Sequence, residues 1–323
     1  MTRHVRALSF KPSRLHGLSL RLIASHYENN YGGAVRRLNA IRAQLGALDV
    51  TAAPGFALNG LKREELIAAN SADLHELYFD GLGGDGSVPA EMDAALARDF
   101  GSSDAWRRQF VAMGKALGGG SGWVLLSLSL GDGTLRNVWA ADHTHSMALG
   151  VPILALDMYE HAYHLDFGAN AGAYVEAFMT NIAWDRIARR HAAATALLAG
   201  MTSPMPDEID GVPVVDVDTA RALVADPAVA VIDARMDDDY AFQHTILPGA
   251  RHFAPEKLDA LATAVPAGGK ALVYCAYGFE IGRTAAQRLR RQGVDAVVVR
   301  GGIGAWRADG LPTETAPHEG GKS

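Results

Sequence analysis

The chain has 323 residues, a formal net charge of −6 and 20% charged residues. This length exceeds one typical domain and predicts two domains of about 100 to 200 residues, each able to bury a core. The acidic balance and the absence of a basic run argue against a nucleic-acid binder and against a membrane-surface protein.

Targeting and redox signals in the sequence favour a cytoplasmic protein. No apolar stretch reaches membrane-spanning length, and residues 1–17 contain no apolar core of a signal peptide. The one cysteine, Cys275, has no partner for an intramolecular disulfide, which agrees with a reducing compartment.

The first half of the chain predicts a helical hairpin followed by an α+β unit. Residues 18–47 and 57–80 have apolar residues at a spacing near 3.6 and are expected to form amphipathic helices. Residues 124–130 and 134–140 are apolar and β-branched runs on either side of Gly131-Asp132-Gly133, which predicts a β-hairpin. A further helix is expected over residues 186–198.

The second half of the chain predicts an α/β domain with a small parallel sheet. Short apolar strands are expected at residues 228–232, 270–274 and 296–299, and helical stretches separate them. Residues 200–207 carry prolines and acids without periodicity and are interpreted as a linker. The predicted boundaries are therefore a first domain at 1–199, a linker at 200–207, a second domain at 208–316 and a tail at 317–323.

Four residues of the first half are candidate metal ligands: His26, His75, Asp157 and His161. Asp157 and His161 are four residues apart, and on a helix or its end this spacing puts both side chains on one face. Three imidazoles and one carboxylate suit iron or manganese better than calcium, which prefers oxygen ligands.

Residues 15–195 resemble the iron/manganese superoxide dismutase family. The resemblance rests on five blocks in family order: His26-Tyr27 ahead of Leu38-Asn39, Asn70 to Phe79, Gly120 to Trp123, Asp157 to Tyr163, and Asn181 to Asp185. It implies one iron or manganese ion per subunit, held by the four candidate ligands. It also implies the conversion of superoxide to dioxygen and hydrogen peroxide.

The resemblance assigns roles around the metal as well. His143 stands where the family places a residue that tunes the redox potential, since Ser71 at the alternative helical position is too short. Trp123 is expected in the apolar wall of the site with Phe79. Glu160 is expected to reach a ligand histidine of a second subunit, and Tyr163 to lie in the same surroundings. A homodimer or homotetramer is therefore expected, with superoxide as the small-molecule substrate.

Several outer positions depart from the family pattern. The gating tyrosine is Ala34, its histidine partner is Asn30, and a second tyrosine is His164. Residues 168–172 lack the arginine that draws superoxide inward. We expect slower dismutation with weak salt dependence. Two alternatives stay open: a metalloprotein of this fold with another redox or reactive-sulfur role, and a sensor or scaffold without catalysis.

Cys275 is a candidate nucleophile of the second half. It follows a predicted strand and opens a loop to Arg283 before a helix, where inward-facing N–H groups lower a thiol's pKa and hold anions. Together with this loop, five further blocks make residues 208–315 resemble a single-domain rhodanese: Val231 to Arg235, Asp239-Tyr240, His244, Pro248 to Ala250, and Gly301 to Trp306. The resemblance implies that Cys275 carries sulfur from a sulfane-sulfur donor as a persulfide.

One position in the Cys275 loop departs from the rhodanese pattern. Glu280 stands where an arginine commonly holds the anionic donor, and a carboxylate there disfavours thiosulfate. A binding or regulatory module and a buried inert cysteine are the alternatives to sulfur transfer.

Overall fold

The computed structural model describes residues 2–201, 206–254, 257 and 265–316. The chain divides into two compact units, residues 1–203 and 204–323. Within the described residues no helix is both long and apolar enough to cross a membrane. The predicted linker at 200–207 lies partly outside the described residues, and the predicted tail at 317–323 lies wholly outside them.

Two antiparallel helical arms open unit one, as the apolar spacing predicts. The Ser19 side chain accepts a hydrogen bond from the Leu22 amide and begins the first arm. Leu38, Ile41 and Ala68 pack between the arms. The first arm is α1 (Leu20–Ser25), a π-helical segment (His26–Tyr31) and α2 (Gly32–Ala47), and the second arm is α3 (Gly55–Asp80).

A three-stranded antiparallel sheet forms the centre of the remainder of unit one, in the strand order β2-β1-β3. Every residue of β1 is buried, because helices pack against this strand as well as its two neighbours. Before the sheet come α4 (Ala90–Phe100) and α5 (Ser103–Ala116), and its strands are β1 (Trp123–Ser129), β2 (Leu135–Ala140) and β3 (Gly150–Asp157). After it come a 3-10 turn (Glu160–Ala162), α6 (His164–Phe167), α7 (Ala171–Thr180) and α8 (Trp184–Met201).

A glycine fixes how β1 begins. Gly122 has φ +136°, and a Cβ at this position would lie 2.3 Å from the carbonyl oxygen of Ala140. Its own carbonyl accepts a hydrogen bond of 2.9 Å from the Met158 amide just after β3. Only glycine therefore allows the start of β1 to lie this close to the ends of β2 and β3.

Unit two is an α/β domain with a mainly parallel sheet, which confirms the predicted fold class. The sheet has the strand order β4-β5-β10-β9-β6-β8, and a separate pair joins β11 to β7. The three predicted strands correspond to β6, β9 and β10. The strands are β4 (Glu208–Ile209), β5 (Val212–Val215), β6 (Val229–Asp233), β7 (Thr245–Ile246), β8 (Arg251–His252), β9 (Lys270–Tyr274), β10 (Asp295–Val299) and β11 (Glu314–Thr315). The helices are α9 (Val217–Val224), α10 (Asp237–Gln243), α11 (Glu280–Arg291) and α12 (Gly302–Ala308).

A buried ion pair lies at the end of β6 in unit two. Both oxygens of Asp233 accept hydrogen bonds from the Arg235 guanidinium at 2.5 to 3.0 Å, and the Tyr274 hydroxyl donates a further bond of 2.9 Å. The side chains of Asp233 and Arg235 are fully buried. The arginine charge therefore depends on this one carboxylate for its compensation.

Replacing Asp233 by Ala is expected to lower the free energy of unfolding of unit two by roughly 3 to 5 kcal/mol, because it leaves the Arg235 charge buried and unpaired. Hydrogen exchange of the β9 amides in the intact chain measures this loss separately from unit one. Asp218→Ala, at an exposed position in α9, is the control and should change stability by no more than about 1 kcal/mol. Equal exchange rates in the two variants would contradict the structural role of the ion pair.

Candidate functional site

The structure brings the four predicted ligand residues together in unit one. One ligand atom from each of His26, His75, Asp157 and His161 lies within 4.8 Å of the other three. The Nε2 atoms of the three histidines are 3.1, 3.5 and 3.3 Å from Oδ2 of Asp157, in chain order. Three of the side chains are buried, and the His161 side chain is 27% exposed.

Asp157 and His161 meet for a different reason from the predicted one. Asp157 is the last residue of strand β3, and His161 lies in the 3-10 turn that follows, so the two do not share a helix. The pairing of Asp157 with Trp123 across the sheet keeps the Asp157 backbone extended. The chain then turns sharply, with the Tyr159 amide donating to Oδ1 of Asp157 at 2.9 Å. The expectation that the two residues share a helical face was wrong, but their side chains do lie close together.

The first two histidines come from the two helical arms. His26 begins the π-helical segment between α1 and α2, and His75 lies near the end of α3. A π-helical turn holds one more residue than an α-helical turn and frequently occurs at functional sites. The two imidazole rings meet edge to face with centroids 5.0 Å apart.

A contact between two hydrogen-bond acceptors makes this cluster a candidate cation site. His75 Nδ1 donates to the Ser71 carbonyl at 2.6 Å, so the proton of the neutral ring is on Nδ1 and Nε2 carries a lone pair. This Nε2 is buried without a hydrogen-bond partner and faces Oδ2 of Asp157 at 3.5 Å. A lone pair facing a carboxylate in a buried site is unfavourable unless a cation lies between them.

The protonation states strengthen this requirement for a cation. Burial lowers the pKa of His75 to about 3, so its ring brings no charge at neutral pH. Burial opposes ionisation of Asp157, but hydrogen bonds and charges from His161 and His26 hold the pKa of its carboxyl well below the usual range. Burial also lowers the pKa of His26, and its Nδ1 has no partner among the described residues. An ionised carboxylate thus lies beside two buried rings, His26 and His75, whose lowered pKa values favour the neutral form.

The spacing of the ligand atoms fits one first-row transition metal ion. Nitrogen and oxygen ligands bind such an ion at about 2.1 Å, so two ligands at an angle of roughly 90° to 120° are about 3.0 to 3.6 Å apart. The three distances from Asp157 Oδ2 lie between 3.1 and 3.5 Å. The donor set and its spacing therefore fit iron or manganese.

Aromatic and polar side chains hold the cluster in place. Trp123 Nε1 donates to His143 Nδ1 at 3.0 Å, and the Trp123 ring meets His75 edge to face at 5.2 Å. The His143 ring stacks on Tyr159 at 4.9 Å, and burial lowers the pKa of His143. The hydroxyl of Tyr174 donates to the Asp157 carbonyl at 2.7 Å. A neutral His143 that accepts at Nδ1 carries its proton on Nε2.

The other predicted residues of the site lie at different depths. Phe79 is buried, with its ring centroid 5.0 Å from that of His26. Tyr163 is buried behind the cluster, where its ring stacks on Tyr174 at 5.3 Å and its hydroxyl accepts from the Gly119 amide at 3.4 Å. Glu160 and His164 are exposed.

A cavity of about 250 Å³ lies beside the cluster and ends at two of the predicted ligands. The altered positions Asn30 and Ala34 line it, and so does Arg37, which the sequence interpretation missed. Asn30, Ala34 and Arg37 are spaced by four and three residues, a signal that these side chains share one helical face. The described lining residues are Asn29, Asn30, Gly33, Ala34, Arg37, Ile67, Ala68, Ser71, His75, His143 and His161.

Unit two contains the predicted thiol loop. Cys275 directly follows strand β9 and is 3% exposed, and its Sγ lies 3.7 Å from the Phe279 carbonyl oxygen. Helix α11 then begins at Glu280, whose side chain is exposed.

The glycine motif at the start of α12 closes on this loop. The Ile303 amide donates to the Cys275 carbonyl and the Gly304 amide to the Ala276 carbonyl, both at 2.9 Å. Gly302 has φ +59°, and a Cβ there would lie 2.2 Å from the Cys275 carbonyl oxygen. The glycine motif therefore holds the backbone of the Cys275 loop in place. This contact explains why the loop and the glycine motif occur in the same domain.

Comparisons with known proteins match the two units of the chain to two different families. A family profile described as iron/manganese superoxide dismutases, C-terminal domain, matches residues 88–190, and one described as rhodanese-like domain matches residues 216–309. The chain is 62% identical to superoxide dismutase [Fe] of Cupriavidus metallidurans over 194 residues, which are 60% of this chain and 98% of that protein.

More distant relatives include both metal types. Superoxide dismutase [Fe] of Aquifex pyrophilus is 32% identical over 56% of this chain and 87% of its own length. Superoxide dismutase [Mn] 2 of Haloferax volcanii is 31% identical over 56% of this chain and 90% of its own length. On the evidence of its relatives, its fold and its ligand cluster, the chain belongs to the iron/manganese superoxide dismutase family and carries a rhodanese-like domain in its C-terminal part.

Proposed function

We propose that unit one converts superoxide to dioxygen and hydrogen peroxide with one iron or manganese ion held by His26, His75, Asp157 and His161. The observation that carries the proposal is the buried lone pair of His75 Nε2, which faces the Asp157 carboxylate. The relative at 62% identity, named for iron, favours iron over manganese. When bound, the metal supplies the one-electron oxidation and reduction that two superoxide anions and two protons require.

The residues around the ligands orient them and supply a proton donor. The Ser71 carbonyl fixes the tautomer of His75, and the Tyr174 hydroxyl holds the end of β3 at Asp157. His143 accepts from Trp123 and lines the cavity, so its Nε2–H is available to donate to a small ligand there. Trp123 and Phe79 are buried and form an apolar wall that keeps bulk water from the cluster.

We propose that the protein acts as a homodimer or homotetramer in which Glu160 contacts a ligand histidine of a second subunit. Glu160 lies in the same 3-10 turn as His161 and its side chain is exposed in the single chain. His161 is partly exposed beside it, so its imidazole is accessible from this surface. A carboxylate that accepts the outer N–H of a ligand histidine fixes the ring and raises its basicity.

We also propose that Cys275 in unit two carries sulfane sulfur as a persulfide. The support is the family match together with the position of the cysteine in a closed loop between β9 and α11. The exposed Glu280 carboxylate at the end of this loop repels a dianionic donor such as thiosulfate. We therefore expect donors with lower charge, such as small persulfides, to react better.

Substituting His75 by Ala tests the metal site. The loss of one of four protein ligands is expected to reduce bound iron or manganese at least tenfold and to abolish superoxide dismutation. Elemental analysis and pulse radiolysis measure the two effects, and circular dichroism verifies folding. His145→Ala, at a largely exposed histidine outside the cluster, is the control and should retain both metal and activity. Unchanged metal content in the His75 variant would refute the ligand assignment, and wild-type protein fully loaded with metal but without turnover would refute the activity.

Substituting Glu160 by Ala tests the contact between subunits. The oligomer is expected to dissociate at higher protein concentration than the wild type, and bound metal should be lost more readily, because the outer N–H of the ligand histidine loses its acceptor. Analytical ultracentrifugation over a dilution series measures the first effect. Glu91→Ala, at an exposed acid on α4, should behave as the wild type. An unchanged dissociation constant would show that Glu160 acts within its own subunit or not at all.

Incubation with a small persulfide donor tests unit two. Intact-mass spectrometry is expected to show the addition of one or more sulfur atoms, each about 32 Da, to the wild type and none to Cys275→Ser. Thiosulfate should add less sulfur to Cys275 than the persulfide donor does. The Glu280→Gln variant should show a smaller difference between the two donors. A wild-type thiol that stays unmodified with every donor would favour a structural cysteine.

A further inference from the structure

The cavity beside the metal cluster has one strong cation in its wall. Among its described lining residues Arg37 is the only arginine or lysine, and none is an acid. The same cavity is bordered by His75, His161 and His143, so a ligand inside it lies near both Arg37 and the cluster. An anion that approaches this cluster also approaches the ionised, buried Asp157, whose repulsion Arg37 opposes.

The charge of Arg37 acts on the interior of the cavity although the side chain is half exposed. Its side chain, on helix α2, is 56% exposed and lines the cavity. Burial is the main cause of the lowered pKa of His143, and the positive charge of Arg37 also lowers this pKa. Arg37 and His143 therefore lie in the wall of one cavity, where the arginine charge disfavours a second positive charge on the imidazole.

Glu64 partly compensates this charge from helix α3. Its carboxylate accepts a hydrogen bond from Arg37 and also lies 3.6 Å from the guanidinium of Arg63. Two arginines thus share one carboxylate, and the group of three side chains keeps a net charge of about +1. Removing the carboxylate should increase the attraction for anions, while removing Arg37 should weaken it.

The segment where the family places its funnel arginine has another role here. Residues 168–172 contain neither arginine nor lysine, and the Asn170 side chain accepts a hydrogen bond from the Ala173 amide and begins helix α7. Of the two segments, only the one on α2 brings a cation to the cavity wall.

We propose that Arg37 attracts small inorganic anions into the cavity and takes over the part of the missing funnel arginine, with Glu64 limiting its strength. For superoxide as the anion the inference rests on the proposed function, but it applies to any small anion that binds at the cluster. With Arg37 in this role, anion binding should fall as ionic strength rises, because ions screen the attraction by an exposed cation. The expectation of weak salt dependence is then replaced by one of clear salt dependence.

Azide binding to the iron-loaded, full-length protein tests this inference without turnover. Azide is a small anion, and its dissociation constant is measured by absorbance titration at ionic strengths of about 10 and 200 mM, where the Debye length differs about fourfold. At the lower ionic strength Arg37→Gln should raise the dissociation constant about 3- to 10-fold, whereas Glu64→Gln should lower it about 2-fold. Arg37→Lys keeps the charge and should retain most of the affinity.

The control is Arg36→Gln, which changes the net charge equally at the neighbouring exposed residue. Arg36 is not among the described lining residues, so its variant should bind azide like the wild type. In parallel, pulse radiolysis should show that Arg37→Gln lowers kcat/KM for superoxide and flattens its salt dependence, while thermal unfolding stays close to that of the wild type.

The outcomes separate the two proposals. Equal azide affinity and equal salt dependence in Arg37→Gln and Arg36→Gln would overturn the role of Arg37, whatever the wild-type turnover. A wild type that binds azide through Arg37 but does not dismutate superoxide would overturn the proposed function and leave Arg37 as an anion-attracting residue. Loss of affinity in Arg37→Lys equal to that in Arg37→Gln would show that shape rather than charge matters.

Discussion

The contact between the Asp157 carboxylate and the three surrounding imidazoles is the constraint on which unit one depends. A buried carboxylate beside the unprotonated nitrogen of His75 is costly without a cation, so a bound positive ion would stabilise the cluster. The fold brings these atoms together from four separate segments: the π-helical segment, α3, the end of β3 and the following turn. Binding of the ion is therefore coupled to the packing of the helical arms on the sheet.

The inner cluster and the outer cavity wall differ in how strongly neighbouring groups constrain their residues. The ligands and their supports Ser71, Trp123 and Tyr174 are held by hydrogen bonds between buried groups, so substitutions there alter the metal site itself. The outer wall at Asn30, Ala34 and Arg37 contacts the cavity and contains no ligand. Its residues can change size and charge while the ligands stay in place. This separation explains how a chain with several altered outer positions keeps all four proposed ligands.

Much of the fold and the four-residue cluster could be predicted from the sequence because they depend on local patterns. Apolar spacing identified the helical arms, the Gly131-Asp132-Gly133 turn identified the hairpin, and short apolar runs identified the strands of unit two. The strand ending at Asp157 was missed, since the spacing of Asp157 and His161 imitates a helix and only pairing with Trp123 keeps the segment extended. Arg37 was missed because its significance depends on which side of α2 faces the cavity.

In unit two a hydrogen-bonded loop encloses the Cys275 thiol. The thiol is 3% exposed, and the amides of Ile303 and Gly304 hold the loop carbonyls from the other side. Glu280 is exposed at the first turn of α11, the helix that follows the loop. A doubly charged anion that approaches this carboxylate meets a like charge and must lose hydration to reach a buried thiol, whereas a small donor of lower charge avoids most of both costs. Under the proposed sulfur chemistry, the acid at this position therefore favours donors of lower charge, while the backbone loop around the thiol is kept.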